Sequence, residues 1–163
     1  MDKCADEEAW DILDEDGNKS GRFILRRDYK NITPGEYHLV VHILIKNVKG
    51  KWLIQKRSPF KEFFPNVWAV TGGSVLSGEN SLTAAIREVE EEIGITLCPH
   101  ELRRALRYKE EDNFVDVWIA EKDFSTAECT LQESEVADVK WVDAEEFKRI
   151  VWNNHRYLEC IDE

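Results

Sequence analysis

The segment from Asn80 to Gly94 carries the signals for both ends of one helix and for its buried face. Asn80 is a typical N-cap residue, because its side chain can accept a hydrogen bond from the first helical turn. Gly94 fits the position after the last turn, where glycine takes the left-handed conformation that ends many helices. Apolar residues at helical spacing predict the face that packs on a core: Leu82, Ile86, Val89 and Ile93.

The last turn of this helix concentrates negative charge. Glu88, Glu91 and Glu92 lie within roughly 100° of one another around the axis, so they converge on one patch, whereas Glu90 points away. Acids at a helix C-terminus cost roughly 0.3–1 kcal/mol each, and like charges at i,i+3 or i,i+4 add about 0.2–0.5 kcal/mol per pair. A bound cation would reverse both terms, and carboxylate oxygens suit Mg²⁺ or Mn²⁺. On this segment alone, a solvated glutamate run is the alternative interpretation.

Alternating apolar and polar residues predict strands over much of the remaining chain. The first 30 residues contain a hairpin about the turn Asp16-Gly17. In the strand 37–47, the odd-numbered residues from 39 share one face and the even-numbered residues the other. Strands interspersed with helices predict an α/β sandwich. Further strands are predicted over 51–57, 102–108, 114–119 and 136–142, and a closing helix over 143–152.

Length and charge bound the class of protein. The chain has 163 residues, 42% of them hydrophobic and 34% charged, which indicates one globular domain over residues 1–163. The net charge of −11 argues against nucleic acid or a membrane surface as partner, but metal ions could screen a small phosphorylated substrate. The absence of a signal-peptide pattern and of paired cysteine spacing predicts free thiols and a cytoplasmic location. The oligomeric state is open, and a homodimer is compatible with the sequence.

A longer pattern of fixed spacing surrounds the helix. Gly73 is followed after five residues by Glu79 and after seven more by the sequence REVEEEIGI, residues 87–95. This pattern resembles the Nudix box, Gx5Ex7REUxEExGU with U aliphatic, at every fixed position over residues 73–95. At roughly 7% usage per residue, such a match arises by chance with a probability on the order of 10⁻⁸ per start site. The resemblance implies a Nudix-type α/β/α sandwich, with a mixed sheet flanked by helices.

The resemblance also implies an activity and a metal site. Nudix hydrolases cleave a diphosphate linkage in nucleoside-diphosphate-type or related substrates, by attack of water on phosphorus with the help of divalent metal ions. Glu88, Glu91 and Glu92, with the backbone carbonyl of Gly72, would bind Mg²⁺ or alternatively Mn²⁺. Arg87 would orient these glutamates, and its i,i+4 pairing with Glu91 would offset one helix-end charge.

A general base must accept the proton of the attacking water. In several family members, a glutamate some six residues before a late tryptophan assists in this step. Glu135 has this spacing from Trp141, and Glu133 is a near competitor. A box glutamate could also act as the base, and the alternative for Glu135 is a solvated loop acid.

Residues 37–97 are also similar to the isopentenyl-diphosphate isomerase branch of the superfamily. This narrower resemblance implies that Arg57 and Lys61 bind the substrate diphosphate, although ordinary surface charges would look the same. His38 falls on a metal-ligand histidine of the isomerases, but a lone strand histidine is more often structural. The isomerase reaction is disfavoured because three positions depart from what it needs: Gly72, Ser74 and Phe114.

Three functions therefore follow from the sequence, with a metal-dependent diphosphate hydrolase favoured. The alternatives are a catalytically silent nucleotide-binding sensor and an isopentenyl-diphosphate isomerase. The substrate itself is not specified. Phe60, Phe63 and Phe64 could stack on a base, but we expect them to pack beneath their loop.

Overall fold

The N-terminal hairpin is present in the computed structural model, which describes residues 5–151 and 154–161. Strand β1 (Ala9–Leu13) pairs antiparallel with β2 (Lys19–Leu25). The Asp14 side chain accepts hydrogen bonds from two backbone N–H groups of the turn, which confirms the predicted reversal. Cys4, one of the four cysteines, and Trp152, the last residue of the predicted closing helix, lie outside the described ranges. Cys98 and Cys129 carry free thiols.

A mixed sheet built on β3 (His38–Lys46) forms the middle layer. Its other strands are β4 (Trp52–Arg57), β5 (Trp68–Ala69), β6 (Thr71–Ser74), β7 (Leu102–Lys109), β8 (Asn113–Glu121) and β9 (Val136–Val142). β3 pairs parallel with β8 and antiparallel with β4 and β6, while β7 pairs with β8, and β5 and β9 pair with β4. The predicted long strands are confirmed, but the short β5 and β6 were missed because two to four residues carry too little alternation.

Helix α1 (Ser81–Ile93) covers one face of the sheet, with both of its predicted ends confirmed. The Asn80 side chain accepts a hydrogen bond from the backbone N–H of Thr83 at 2.8 Å, and Gly94 has φ of 71°. Its buried face differs in part from the prediction, because Leu82 and Ile86 are only partly buried. Small residues bring the helix closer to the sheet, and the buried members are Ala84, Ala85, Val89, Glu92 and Ile93.

Helices α2 (Ala144–Ile150) and α3 (His155–Ile161) cover the opposite face, where one closing helix was predicted. The α2 helix begins at Asp143, whose side chain accepts a hydrogen bond from the backbone N–H of Glu146 at 2.8 Å. The alternation of β3 separates two cores, since Val41, Ile43 and Ile45 pack towards α1 while Leu44 packs towards α2 and α3. The α/β/α sandwich is therefore confirmed. None of the described helices is long and apolar enough to cross a membrane.

Candidate active site

Two glycines in β6 allow close approaches, Gly72 to the neighbouring strand β3 and Gly73 to the end of α1. A Cβ atom at Gly72 would lie 2.6 Å from the carbonyl oxygen of Val41, and one at Gly73 would overlap the carboxylate of Glu88. Both approaches are closer than Cβ atoms tolerate, so a side chain at position 72 would require the backbone of β3 to shift, and one at position 73 would displace the Glu88 carboxylate. The Glu88 carboxylate therefore occupies the space above Gly73, and its side chain is only 13% exposed.

Arg87 joins the acids around this helix end. Its Nε donates to Glu79 at 2.8 Å, and its Nη1 donates to Glu88 at 3.0 Å and to Glu91 at 3.1 Å. Its Nη2 donates to Glu79 and to the Ser74 carbonyl, both at 3.0 Å. Burial lowers the pKa of Arg87, but the hydrogen bond to Glu79 and the surrounding charges raise it on balance. The sequence had suggested no role for Glu79, which ties Arg87 to the loop before the helix.

Glu92 is almost completely buried, and it is held by a neutral partner. It follows Val89 by three residues and so lies on the buried face of α1, with 6% of its surface exposed. The Gln55 side-chain amide donates a hydrogen bond to its carboxylate, and the Thr71 hydroxyl donates to the Gln55 amide oxygen at 2.7 Å. Sequence reasoning missed both residues. A polar Gln55 two positions after the inward-facing Leu53 is the signal that could have identified them.

Burial raises the pKa values of Glu88 and Glu92, the two most buried carboxyl groups at this helix end. The pKa of Glu88 rises to about 7, mainly because the group is removed from water. The pKa of Glu92 lies well above its usual value, through burial first and then through the charge of Glu88. A cation close to both groups would favour their ionised forms, and carboxylate oxygens are ligands that Mg²⁺ and Mn²⁺ prefer. The donor set at this helix end therefore fits a divalent metal ion.

The three predicted carboxylates line one cavity, but their side chains do not form a ready ligand group in this structure. In the described part of the chain, no three His, Cys, Asp or Glu side chains form a group that could hold a metal ion as they stand. Arg87 binds Glu91, whose side chain is 50% exposed, whereas Glu92 turns inward to Gln55. Helical spacing predicted the i,i+4 pair of Arg87 with Glu91, which is confirmed, but it does not specify Gln55 as the partner of Glu92. Their roles as metal ligands, with the Gly72 carbonyl, stay predictions.

Lys61 and Glu135, predicted as a phosphate ligand and a base, form an ion pair with each other. Their side chains are 17% and 29% exposed. After burial and the charge of Glu88, the charges of this pair also act on Glu92, where Glu135 raises the pKa and Lys61 lowers it. Glu133, the competing base, is exposed. The fold thus brings Lys61, Glu135 and Glu92 together.

Arg57 holds the loop that follows β4. Its Nε and Nη2 donate to the carbonyl oxygen of Phe63 at 3.1 and 2.9 Å. In this loop Phe64 and Asn66 have φ of 51° and 61°, and such strained backbone positions cost about 1–3 kcal/mol each. Phe60, Phe63 and Phe64 are 82%, 55% and 74% exposed, so the expectation that they pack beneath the loop is wrong. This loop is held by hydrogen bonds rather than by packing of its apolar side chains. A sequence pattern does not reveal such hydrogen bonds.

Two cavities meet at β6 below the end of α1. They share the residues Lys61, Gly72, Gly73, Ser74, Glu92 and Glu135. The acidic cavity, of about 930 Å³, is further lined by residues that include Glu8, Arg26, Glu88, Glu90 and Glu91. The aromatic cavity, of about 820 Å³, is further lined by residues that include His42, Arg57, Phe64, Trp68, Tyr108, Lys109, Arg156 and Tyr157.

Both histidines of β3 have contacts typical of structural residues. His38 stacks on Trp10 with ring centroids 4.2 Å apart, and burial lowers its pKa to about 4. Its Nδ1 atom has no hydrogen-bond partner within the described residues. His42 forms a hydrogen bond with the hydroxyl of Tyr157, and burial lowers its pKa to about 4 as well. Both side chains are therefore neutral near pH 7.

Comparison with known proteins identifies the family. A protein of Listeria monocytogenes, named an uncharacterized Nudix hydrolase, is 42% identical over 144 residues, which cover 88% of this chain and 84% of that protein. A crystal structure of a Deinococcus radiodurans protein has the same fold, with 24% identity, a TM-score of 0.72 and 90% of each chain covered. A crystal structure of a MutT protein from Methanosarcina mazei is 27% identical, with a TM-score of 0.56 over 69% of this chain and 81% of that chain.

These matches do not identify an isopentenyl-diphosphate isomerase-like branch, so that narrower resemblance stays a prediction. A model of the NUDIX domain matches residues 36–159, which span most of the chain and include both cavities' shared residues. The protein therefore belongs to the NUDIX domain family.

Proposed function

We propose that this protein is a divalent-metal-dependent hydrolase that cleaves the diphosphate linkage of a small molecule where the two cavities meet. The observation that carries the proposal is the pair of buried carboxyl groups, Glu88 and Glu92, beside the Lys61–Glu135 ion pair. The relatives named Nudix hydrolases support an enzyme of the pyrophosphohydrolase type. The family generally uses divalent metal ions, and Mg²⁺ or Mn²⁺ suits these oxygen ligands.

The box residues would hold the metal and each other. We assign the ligand set to Glu88, Glu91, Glu92 and the Gly72 carbonyl, with Arg87 orienting the carboxylates through its contacts to Glu88 and Glu91. When bound, the divalent ion would neutralise phosphate oxygens and lower the pKa of the attacking water. Glu91 would have to leave or share Arg87 to reach the metal, and its exposed side chain has room to turn.

Lys61 and Glu135 would divide the work of binding and proton transfer. A substrate diphosphate is a stronger acceptor for an ammonium group than one carboxylate, so it would draw Lys61 away from Glu135. Glu135 would then be released as the base that accepts the proton of water. Arg57 lines the same cavity and is a second proposed phosphate contact, in addition to its grip on Phe63.

The remaining assignments are also proposals. We infer a substrate of the nucleoside-diphosphate type, because the aromatic cavity offers rings such as Phe64 and Trp68 next to the phosphate-binding cations. A single Nudix domain, a cytoplasmic location and the absence of nucleic-acid or membrane partners agree with the acidic composition. A homodimer is the oligomer that we would test first.

A substrate screen with and without Mg²⁺ tests the function. The panel contains nucleoside di- and triphosphates, sugar nucleotides, dinucleoside polyphosphates and prenyl diphosphates, with phosphate and pyrophosphate release as the signal. We expect release that requires the metal. If nucleotides bind but no compound is cleaved, the protein is a sensor. Conversion of isopentenyl diphosphate without phosphate release would identify an isomerase instead.

A further inference from the structure

A buried polar chain connects the sheet to the deepest carboxyl group of the site. Thr71 in β6, Gln55 in β4 and Glu92 in α1 are 3%, 4% and 6% exposed. The Thr71 hydroxyl donates to the Gln55 amide oxygen at 2.7 Å, and the Gln55 amide nitrogen donates to Oε2 of Glu92. All three groups are removed from water, so each of them needs a hydrogen-bond partner within the protein.

The order of these bonds determines how the amide is oriented. A glutamine side chain presents one acceptor oxygen and one donor nitrogen, which are otherwise interchangeable in shape. A hydroxyl hydrogen from Thr71 selects the oxygen, and the nitrogen must then face Glu92. Thr71 therefore acts on Glu92 through Gln55, although it does not touch the carboxylate.

A neutral donor suits a carboxylate that must also bind a cation. A lysine or arginine at position 55 would neutralise Glu92 and compete with a metal ion for it. The Gln55 amide holds Oε2 but leaves the negative charge in place, and it leaves Oε1 to point elsewhere. Amides and hydroxyls of this kind orient metal ligands in many sites, and their loss lowers metal affinity by about 10- to 100-fold.

We propose that Gln55 is a positioning residue of the metal site, oriented by Thr71, which fixes Glu92 so that its second oxygen serves the metal. This inference rests on the proposed function, because it assumes that Glu92 is a metal ligand. It adds two residues outside the Nudix box to the machinery of the site.

The test is a Mn²⁺ titration of the substrate-free protein, followed by electron paramagnetic resonance, for Gln55→Leu and for the matched pair Thr71→Val and Thr71→Ser. We expect Gln55→Leu and Thr71→Val to weaken Mn²⁺ binding by about 10- to 100-fold. Thr71→Ser keeps the hydroxyl and should stay close to the wild-type affinity. At saturating metal, kcat should recover, so the activity defect should appear as a higher metal requirement.

Melting temperatures without metal separate positioning from a general structural role. If Thr71→Val lowers the melting temperature but binds Mn²⁺ like the wild type, the positioning role is overturned.

Glu92→Gln serves as the reference variant in the same titration. If it loses Mn²⁺ while Gln55→Leu and Thr71→Val do not, only this inference fails. If Glu92→Gln binds Mn²⁺ normally, Glu92 is not a ligand, and the proposed metal site fails together with the inference. Thr71→Val replaces one hydroxyl by a methyl group, so it decides the question even if Gln55→Leu does not fold.

Discussion

The acidic and aromatic cavities meet at β6, but burial shifts the pKa of an ionisable group in opposite directions on the two sides. On the acidic side, burial raises the pKa of Glu88 to about 7. On the aromatic side, burial lowers the pKa of His42 to about 4. In both cases removal from water favours the neutral form. The His42 ring is already paired with Tyr157, whereas a positive charge added near Glu88 would favour the ionised form of its carboxyl group.

For the proposed function, this difference predicts that one cavity binds the metal ions and the other binds the uncharged part of the substrate. The acidic cavity has an excess of carboxyl groups, which a bound cation would offset, while the aromatic cavity presents rings and Arg57, and Lys61 lies in the part that both cavities share. In a substrate that lies across β6, the diphosphate would meet metal ions in the acidic cavity. The uncharged portion of the substrate would meet rings in the aromatic cavity. Variants of the two cavities should therefore change different quantities.

The largest expected effect is at Glu92 in the acidic cavity. Glu92→Gln keeps the volume but removes a ligand charge, so turnover should fall by orders of magnitude at limiting Mg²⁺. The metal-free variant should melt at a higher temperature than the wild type, because a neutral amide is cheaper to bury than a carboxylate. Glu121→Gln, at an exposed position at the end of β8 that lines neither cavity, is the control and should change neither quantity. Wild-type turnover in Glu92→Gln would contradict the metal site.

The second prediction concerns the metal itself. Mg²⁺ or Mn²⁺ should stabilise the native protein by about 2.7 kcal/mol at 100 times the dissociation constant. NaCl at equal ionic strength should give a much smaller shift of the melting temperature, because it only screens charge. The Mn²⁺ shift should disappear in Glu92→Gln but persist in Phe64→Leu, a variant of the aromatic cavity. Equal shifts from NaCl and MgCl₂ would argue for screening alone.

A smaller effect is expected from His38, which stacks on Trp10. Its pKa is about 4 in the native protein, compared with the ordinary value of 6.5 that applies to the unfolded chain. Between these two pH values the unfolded chain therefore binds a proton that the native state does not. Stability should therefore fall as the pH drops below 6.5, by about 1.4 kcal/mol at pH 5.5. His38→Phe keeps a flat ring and should remove this contribution. Urea unfolding at pH 7.5 and 5.5 measures it, and equal pH dependence in both proteins would refute the assignment.

The smallest predicted effect separates two phenylalanines of one loop. Phe64 lines the aromatic cavity, whereas Phe60 is equally exposed but is not among its lining residues. If Phe64 stacks on the base of a nucleotide, Phe64→Leu should raise KM about two- to tenfold, since such contacts contribute about 0.5–1.5 kcal/mol. Phe60→Leu should leave KM unchanged. An equal response of the two variants would place the base elsewhere.

Much of the fold could be predicted because its signals are local. Asn80 and Gly94 mark the ends of α1 by side-chain and backbone properties that need no tertiary contact. The alternation in β3 likewise separates the two cores. The strands β5 and β6 were missed because they exist only through pairing with β4 and β3, and glycine-rich segments carry no alternation.

The candidate site was predictable in composition but not in its contacts. Spacing placed the box glutamates on one side of the helix and predicted the pair of Arg87 with Glu91, yet it does not reveal that Gln55 holds Glu92. Likewise, the sequence separated Lys61 from Glu135, and only the fold makes them partners. Such contacts join residues far apart in the chain, so no local pattern encodes them.

Because the Glu88 carboxylate fits over Gly73, the effects of substitutions at these two positions should be coupled. A methyl group at 73 would overlap the carboxylate, and shortening the acid to Asp would withdraw it by roughly one bond length of 1.5 Å. The loss in the free energy of unfolding when both residues are changed should therefore be less than the sum of the two separate losses. A double-mutant cycle measures this difference. The chain can exchange these residues together more easily than one at a time.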